Sequence, residues 1–268
     1  MTQRKNGLAA FGLAAALLCL TGCKGAKNRP VNVVGSTSVQ PFAEVLAQEY
    51  EKRNPAERVE VQGGGSTAGL QAAVNGLADI GMCSRSLNEA EAGQFTPITI
   101  ARDGLAIVVN PANTVDGLSL EQLRGIFSGR IANWEAVGGK GSPIRLIARE
   151  EGSGTRESFM HLVMDKDRIP AGAIAQESNG AVKELVKGDP AAIGFMSLGL
   201  VGKELKALAI DGAEPTHENV LNGKYKLARP FLFAVKGAPG AGAQKFIDFV
   251  LSADAQKMLE DEGLIRAK

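Results

Sequence analysis

The stretch VNVVGSTSVQPF, residues 31–42, places an apolar run, a turn of hydroxyl side chains and the start of a helix in direct succession. Val31–Gly35 predicts a buried strand. Pro41 suits the first turn of a helix, because the backbone N–H that proline lacks has no partner there. From Phe42 to Tyr50, apolar residues recur on one helical face. The stretch therefore predicts a strand, a tight turn and an amphipathic helix.

This unit of strand, turn and helix recurs twice. Residues 58–62 alternate as a strand does, and the turn GGGST at 63–67 leads into a second helix. Near the middle of the chain, Arg145–Ala148 precedes the turn EEGSGT at 150–155 and another helix. Strands that alternate with helices are typical of α/β proteins with mostly parallel sheets.

Two apolar strands lie far apart in the chain, LAIVV at 105–109 and FLFAV at 231–235. The segment between them has strands and helices of its own. We therefore predict two lobes, the second inserted into the first and joined to it by two strand-like crossings. The first lobe comprises residues 31–104 plus 230–268, and the second comprises residues 105–229.

The N-terminus has the pattern of an export signal. Arg4 and Lys5 precede an apolar run at 8–20, which is too short to span a membrane comfortably. The run ends in LTGC at 20–23, which resembles the bacterial lipobox, whose cysteine is acylated and becomes the mature N-terminus. An ordinary secretory signal cleaved nearby is the alternative. We predict a lipoprotein signal peptide over residues 1–22, and a polar linker to the lipid anchor over residues 23–30.

We therefore expect an exported protein, lipid-anchored in the periplasm or on the outer face of the cell membrane. Only the lipid on Cys23 would touch the membrane, since no second apolar run is long enough to cross it. Cys19 leaves with the signal and Cys23 carries the lipid, so Cys83 has no cysteine partner.

Composition and motifs argue against several classes of function. The net charge is +1 and aromatic residues make up 5%, which excludes a basic nucleic-acid surface and base-stacking platforms. His161 and His217 are the two histidines, and neither has a metal-ligand spacing. No GxSxG elbow is present. The sequence therefore predicts neither an enzyme nor a cofactor or metal site.

The three turns favour an anion site. Each turn ends a strand and opens a helix, where unpaired N–H groups and the helix dipole attract negative charge. A single such turn is more often a helix cap, but three turns together with Arg149 indicate a shared site. The Arg149 guanidinium suits two oxygens of phosphate or sulfate; the alternative is a surface ion pair with Glu150 or Glu151.

Other charged residues have weaker assignments. For Arg85, a role in the anion site and a salt bridge across the lobes are equally supported. Arg156 faces either the cleft or solvent. Asp79 is interpreted as a structural residue at the start of a strand.

Five motifs in order resemble one family: GSTSVQP at 35–41, GGGSTAG at 63–69, ADIG at 78–81, GIFSG at 125–129 with Asn133-Trp134, and Arg149 with GSGTR at 152–156. The chain is similar over nearly its whole mature length to the phosphate-binding, PstS-like proteins of bacterial phosphate ABC importers. The resemblance implies a two-lobed type II periplasmic binding fold, with mixed sheets, helices on both faces and phosphate held in the cleft.

The resemblance also implies a set of site residues and partners. The partners implied are inorganic phosphate and the permease and ATPase subunits of an ABC importer, and we expect a monomer. The predicted phosphate-binding residues are Thr37, Ser38, Ser66, Ser84, Arg85, Arg149, Ser153, Gly154 and Thr155.

One position departs from the family pattern. Some members have an aspartate where this chain has Ser84, and that aspartate accepts the proton of hydrogen phosphate. A carboxylate there repels sulfate, which has no proton to donate, and a serine repels it more weakly. Binding of sulfate, molybdate or tungstate is therefore an alternative, and an exported phosphate-ester enzyme is a more remote one.

Overall fold

A computed structural model describes residues 29–267 of the chain. The predicted signal peptide, the predicted lipidation site Cys23 and most of the predicted linker lie outside these residues. Within the described part, no helix is both long and apolar enough to cross a membrane.

Strands and helices alternate through the first two-thirds of the described chain. The strands are β1 (Val31–Gly35), β2 (Val59–Gly63), β3 (Ile80–Cys83), β4 (Thr96–Val109), β5 (Gly117–Leu118), β6 (Arg145–Arg149), β7 (Ile174–Gln176), β8 (Ala192–Ser197), β9 (Lys206–Ala207), β10 (Ala209–Ile210), β11 (Ala228–Val235) and β12 (Ile265–Arg266). The α-helices are α1 (Gln40–Arg53), α2 (Ser66–Val74), α3 (Glu89–Ala92), α4 (Leu120–Phe127), α5 (Gly154–Phe159), α6 (Asn179–Gly188), α7 (His217–Leu221), α8 (Ala241–Val250) and α9 (Ala253–Asp261). A π-helical turn, Met160–Met164, continues α5.

The sheet runs in the order β2-β1-β3-β11-β4-β8-β6-β7. Its outer strands pair in parallel: β1 with β2 and β3, and β6 with β7 and β8. At its centre, β11 is antiparallel to β3 and β4, and β4 is antiparallel to β8. The α/β architecture is confirmed, but the prediction of mostly parallel sheets holds for the outer strands alone. Strands β4 and β11 carry the chain between the two halves in opposite directions, so they pair antiparallel to each other.

Strand β4 connects the two halves of the sheet. Its residues up to Gly104 pair with β11, and Leu105–Val109 pair with β8. The predicted strand at 105–109 is therefore the second half of a 14-residue strand. The polar residues Arg102 and Asp103 interrupt the apolar pattern, so periodicity alone hides the first half. The two crossings touch where the Leu105 N–H donates to the Leu227 carbonyl at 2.7 Å.

Each half of the sheet has its own apolar core. In the first lobe, built on β1, β2, β3 and β11, Phe42 of α1 lies 6.0 Å from Phe231 of β11, between ring centroids. In the second lobe, built on β6, β7 and β8, Phe159 stacks on Phe195 at 4.1 Å. These ring contacts hold α1 and α5 against their sheets. They thereby fix the positions of the first residues of both helices, which follow the first and third turns.

Close backbone contact sets the position of α2. A side chain at Gly69 would lie 2.4 Å from both the Gly35 Cα and the Val34 carbonyl oxygen. Gly35 itself has φ of 144° and packs against the Met82 carbonyl. Glycine at both positions lets α2 lie directly on β1. The start of α2 is thereby brought beside the turn that follows β1.

We expect Gly69→Ala to destabilise the protein by about 1–3 kcal/mol, because the added methyl group forces helix and strand apart. The free energy of unfolding from urea titration measures this. Gly188→Ala is the matched control, since a methyl group at this last residue of α6 meets no atom within 4 Å. Equal stability of the two variants would contradict the close-packing argument.

Candidate functional site

The first turn leaves the Ser38 side chain facing the cleft. Ser36 closes the turn, because its Oγ accepts from the N–H groups of Ser38 at 3.2 Å and Val39 at 3.3 Å. The Ser38 hydroxyl is buried and lies 2.7 Å from the Thr155 hydroxyl of the other lobe. No side chain caps α1 at its N-cap residue Val39, so Ser38 is available for contacts between the lobes.

The second turn is hydrogen-bonded to the end of β1, where the first turn begins. Gly65 has φ of 92° and its N–H donates to the Gly35 carbonyl at 3.0 Å. No side chain caps α2. The buried Ser66 hydroxyl accepts from the Ser84 N–H at 3.1 Å and lies 3.4 Å from the Ser84 hydroxyl. Ser66 and Ser84 thus form one polar surface at the edge of the first lobe.

The third turn meets this surface from the second lobe. The Ser153 hydroxyl caps α5 by accepting from the Arg156 N–H at 3.3 Å. A side chain at Gly154 would lie 2.2 Å from the Ser66 Oγ and 2.6 Å from the Ser84 Oγ. The Thr67 N–H donates to the Gly152 carbonyl at 3.2 Å. The three turns therefore lie side by side, and only glycine at position 154 permits the approach.

Arg149 ends β6 beside the third turn and is 1% exposed. Its Nε donates to the Gln176 carbonyl at 2.9 Å, and its Nη2 donates to the Thr37 hydroxyl and the Glu177 carbonyl, both at 2.9 Å. Its Nη1 is buried and has no hydrogen-bond partner within residues 29–267. A buried donor without a partner is costly. This nitrogen therefore indicates a missing acceptor at the site.

The ion pair with Glu150 is present in the structure, but Arg149 itself is buried and does not lie at the surface. Its guanidinium pairs with Glu150, with Nη2 and Oε1 3.0 Å apart, and also reaches across the cleft to Thr37. Arg156 donates to the Arg149 carbonyl at 3.0 Å and pairs with Glu151. Arg156 therefore supports the end of β6 through its backbone.

Arg85 lies in a cluster of ion pairs between the lobes. Glu91 accepts from its Nη1 at 2.6 Å and its Nη2 at 2.9 Å. Glu157 of α5 pairs with its Nε at 2.6 Å and also accepts from the Thr67 hydroxyl at 3.1 Å. The guanidinium is thus occupied by two carboxylates. This geometry favours the salt bridge across the lobes over contact with an anion.

Sequence reasoning missed Arg229 and Asp103, which form an ion pair where the two crossings meet. Both Nε and Nη2 of Arg229 donate to the Asp103 Oδ2, at 3.0 and 2.9 Å. Nη1 donates to the Thr155 hydroxyl at 2.7 Å. Complete burial acts to raise the pKa of Asp103, and the charge and hydrogen bonds of Arg229 oppose that rise. The available signal was a charged residue within each of two apolar strands.

Asn179 was also missed. It is the first residue of α6, and its Nδ2 donates to the Ser38 hydroxyl at 2.9 Å across the cleft. Its Oδ1 accepts from the Ser197 N–H at 3.1 Å. The sequence alone does not show that this amide contacts a turn that lies 141 residues away along the chain.

Two other sequence interpretations agree with the structure. The Asp79 carboxylate accepts from the Asn32 N–H at 2.9 Å and pairs with Arg29, which is a structural role at a strand start. Cys83 is free and fully buried, and burial raises the pKa of its thiol. Between residues 29 and 267, no group of three or more His, Cys, Asp or Glu side chains lies close enough together to hold a metal ion.

Comparison with known proteins identifies the family. A family model described as a PBP superfamily domain matches residues 22–254. The phosphate-binding protein PstS of Bacillus subtilis is 33% identical over 240 residues, which are 88% of this chain and 80% of the relative. The chain belongs to the PstS family. PstS of Borreliella burgdorferi is 29% identical and matches over 96% of this chain and 97% of its own length.

Solved structures of PstS-like proteins agree with the fold. A putative phosphate ABC transporter substrate-binding protein from Clostridium perfringens, solved with bound phosphate, superposes with a TM-score of 0.86 at 37% identity. The match covers 90% of this chain and all of that one. A phosphate transport receptor from Vibrio cholerae has a TM-score of 0.75 at 41% identity, over 88% and 99% of the two chains. The PstS resemblance and the type II periplasmic binding fold predicted from the motifs are therefore confirmed.

We expect Asp103→Asn to lower the free energy of unfolding by about 3–5 kcal/mol, because it leaves the buried Arg229 charge uncompensated. Urea titration of the phosphate-free protein measures this loss. Asp116→Asn is the control: Asp116 pairs with Lys206 at 2.9 Å but is 89% exposed, so its loss costs at most about 1 kcal/mol. Similar losses in both variants would show that the buried pair has no special role.

Proposed function

We propose that this protein captures inorganic phosphate in the cleft between its lobes and delivers it to an ABC importer. The observation that carries the proposal is the buried Nη1 of Arg149, which lacks a partner within residues 29–267. It lies beside turns whose hydroxyl groups converge from both lobes. The relatives named as phosphate-binding proteins support the same ligand.

Each lobe would supply part of the phosphate shell. Ser38 and Ser66 are buried hydroxyls from the first lobe, and Ser153, Gly154 and Thr155 open α5 on the second lobe. The Thr37 hydroxyl accepts from Arg149 and donates to the Glu177 carbonyl at 3.2 Å. We propose that Thr37 holds the guanidinium in place. We also propose that Arg85 stabilises lobe closure through Glu157, and that Ser84 completes the surface under the anion.

Lobe closure would exclude water from the bound anion. Besides the Ser38 and Thr155 contact, the Ser158 hydroxyl donates to the Ser84 carbonyl at 3.1 Å across the lobes. Removal of water strengthens each charge-assisted hydrogen bond, because the local dielectric falls. We infer that the importer recognises this closed form.

The absence of a carboxylate at position 84 bears on selectivity. Acidic groups around the site pair with arginines: Glu150 with Arg149, Asp103 with Arg229, and Glu157 with Arg85. A carboxylate free to repel sulfate is therefore not among the groups we assign to the site. Sulfate, molybdate and tungstate remain as alternative ligands for this reason.

Hydrolysis of phosphate esters is a weaker candidate. A serine nucleophile needs a general base within hydrogen-bond reach. The hydroxyls of Ser38 and Ser66 contact other hydroxyls, an amide and a backbone N–H, none of which is a base. Ser66 also contacts the Cys83 thiol, whose pKa is raised by burial, so the thiol is a poor general base. We therefore propose a binding protein rather than an enzyme.

We further propose that the protein is an exported monomer, anchored through a lipid on Cys23, and that it works with permease and ATPase subunits. We also keep the division into residues 31–104 plus 230–268 and residues 105–229. Strand β4 changes partners between Gly104 and Leu105, and β11 begins at Ala228, close to both proposed boundaries.

A thermal-shift panel of the phosphate-stripped mature protein against phosphate, arsenate, sulfate and molybdate tests the ligand. We expect phosphate to raise the melting temperature most, because a ligand that binds only the folded state stabilises it by mass action. A chromogenic phosphate ester, incubated with the same protein, should stay intact. A larger shift with sulfate or molybdate would assign the protein to that anion.

We expect Arg149→Ala to weaken phosphate binding by about 2–5 kcal/mol, because it removes a buried charged donor. Titration calorimetry measures the change. Arg145→Ala is the control, since Arg145 begins the same strand but is 61% exposed, with Asp189 as its partner. Unchanged affinity in Arg149→Ala, with normal stability, would remove this residue from the site.

A further inference from the structure

A closed ring of hydrogen bonds passes through two hydroxyls of the proposed site. It connects the first lobe, the second lobe and both crossings. Arg229 donates to Asp103 Oδ2 and, through Nη1, to Thr155 Oγ1, which contacts Ser38 Oγ. Ser38 Oγ in turn accepts from Asn179 Nδ2, and Asn179 Oδ1 accepts from the Ser197 N–H. The Ser197 Oγ closes the ring by donating to Asp103 Oδ1 at 2.9 Å.

The chemistry of the ring fixes the direction of its donors. A backbone N–H can only donate, so the atom of Asn179 that faces Ser197 is the carbonyl oxygen. The NH₂ group of the same amide therefore faces Ser38. A guanidinium likewise has donors and no acceptor, so Arg229 must donate to Thr155. Both hydroxyls consequently accept a hydrogen bond from a group that cannot reverse its role.

The direction of these donors limits where the two hydroxyl hydrogens can point. Each hydroxyl carries one hydrogen, and the 2.7 Å contact between Ser38 and Thr155 uses one of the two. The other hydroxyl hydrogen is free to point at a bound anion. An anion that enters between them can take both hydrogens, while one lone pair of each hydroxyl oxygen stays occupied by Asn179 or Arg229.

We propose that Asn179 and Arg229 are positioning residues that make Ser38 and Thr155 donors towards the bound anion. This inference rests on the proposed function of the cleft. Arg229 adds direction rather than net charge, because Asp103 neutralises it at 2.9 Å. Each hydroxyl oxygen keeps one further lone pair, but with the Arg149 Nη1, which is unpaired within residues 29–267, the site has more donors than acceptors. Such a site binds an anion with one proton to place better than an anion with two. The substrate form selected is therefore hydrogen phosphate over dihydrogen phosphate.

Other charged and titratable groups surround these hydroxyls. Arg149 with Glu150 lies beside the third turn, and Arg85 with Glu91 and Glu157 lies beyond Ser84. Cys83 is buried next to Ser84, and His161 lines a cavity of about 330 Å³ with Arg85, Glu157 and Arg229. All these groups are unchanged in the Asn179 variant. A difference in pH dependence between this variant and the natural protein is therefore due to the hydroxyls.

The test is the pH dependence of phosphate affinity, measured by calorimetry from about pH 6 to about pH 9 across the second ionisation of phosphate. We expect affinity of the natural protein to rise with pH. Asn179→Leu removes the donor to Ser38, which frees the hydroxyl to accept from dihydrogen phosphate. The rise should then flatten, with an affinity loss of about tenfold or more at the alkaline end and a smaller loss at the acid end.

A second variant reaches the ring from the other side. Asp103→Val combined with Arg229→Met removes the ion pair as a unit, and such replacements by apolar residues often leave stability unchanged. It frees the Thr155 hydroxyl and should flatten the profile in the same way. This variant keeps the test decisive if Asn179→Leu does not fold.

Asn113→Leu is the matched control. Asn113 is also a buried amide that bridges, with Oδ1 accepting from the Val115 N–H at 3.0 Å and Nδ2 donating to the Pro190 carbonyl at 3.3 Å. Its profile should match the natural one. A parallel loss at every pH in the ring variants would overturn the positioning role. Failure of the natural protein to bind phosphate at any pH would instead overturn the proposed function.

Discussion

The buried guanidinium of Arg149 constrains the rest of the site. It is held on one edge by backbone carbonyls and by Glu150, and on another by the Thr37 hydroxyl of the opposite lobe. A positive charge in such a position is tolerated only with acceptors around it. One of its nitrogens still lacks an acceptor within residues 29–267. We propose that the oxygens of the bound anion complete this set.

Close backbone packing provides the second constraint. Gly69 lets α2 lie against β1, and Gly154 lets α5 approach Ser66 and Ser84. Both contacts bring a helix start to a turn of another strand. The exposed N–H groups of helix starts are short-range donors, so a displacement of an ångström or two would separate them from a common guest. Small residues at these contacts thus determine whether the donors can act together.

The pair of Asp103 and Arg229 connects binding to the crossings between lobes. Both residues lie within strands that run between the two halves, and Arg229 reaches Thr155 and the Ser84 carbonyl at the site. The two groups are almost completely buried, so removal of one alone leaves the other as an uncompensated buried charge. The same contacts orient hydroxyls that we assign to the anion. Stability at the crossings and hydrogen-bond direction at the site therefore depend on the same two side chains.

Local sequence was enough to predict the strands, turns and helices that carry the site. The runs VNVVG and EEGSGT predict their elements because strand and helix periodicity and turn chemistry act over a few residues. The five ordered motifs were enough to place the chain in the PstS family, and hence to predict its fold. Arg149 and the three turns could be chosen for the same reason.

Only the tertiary structure could decide which distant side chains meet. It brought Asn179 to Ser38 and Arg229 to Thr155, and it directed Arg85 to Glu91 and Glu157. The 14 residues of β4 became one strand because β11 and β8 pair with its two halves, despite the charges in its middle. Sequence patterns record each residue's own neighbours along the chain. Pairing across a sheet and compensation of buried charge depend on partners that are often far away along the chain, as with Asp103 and Arg229.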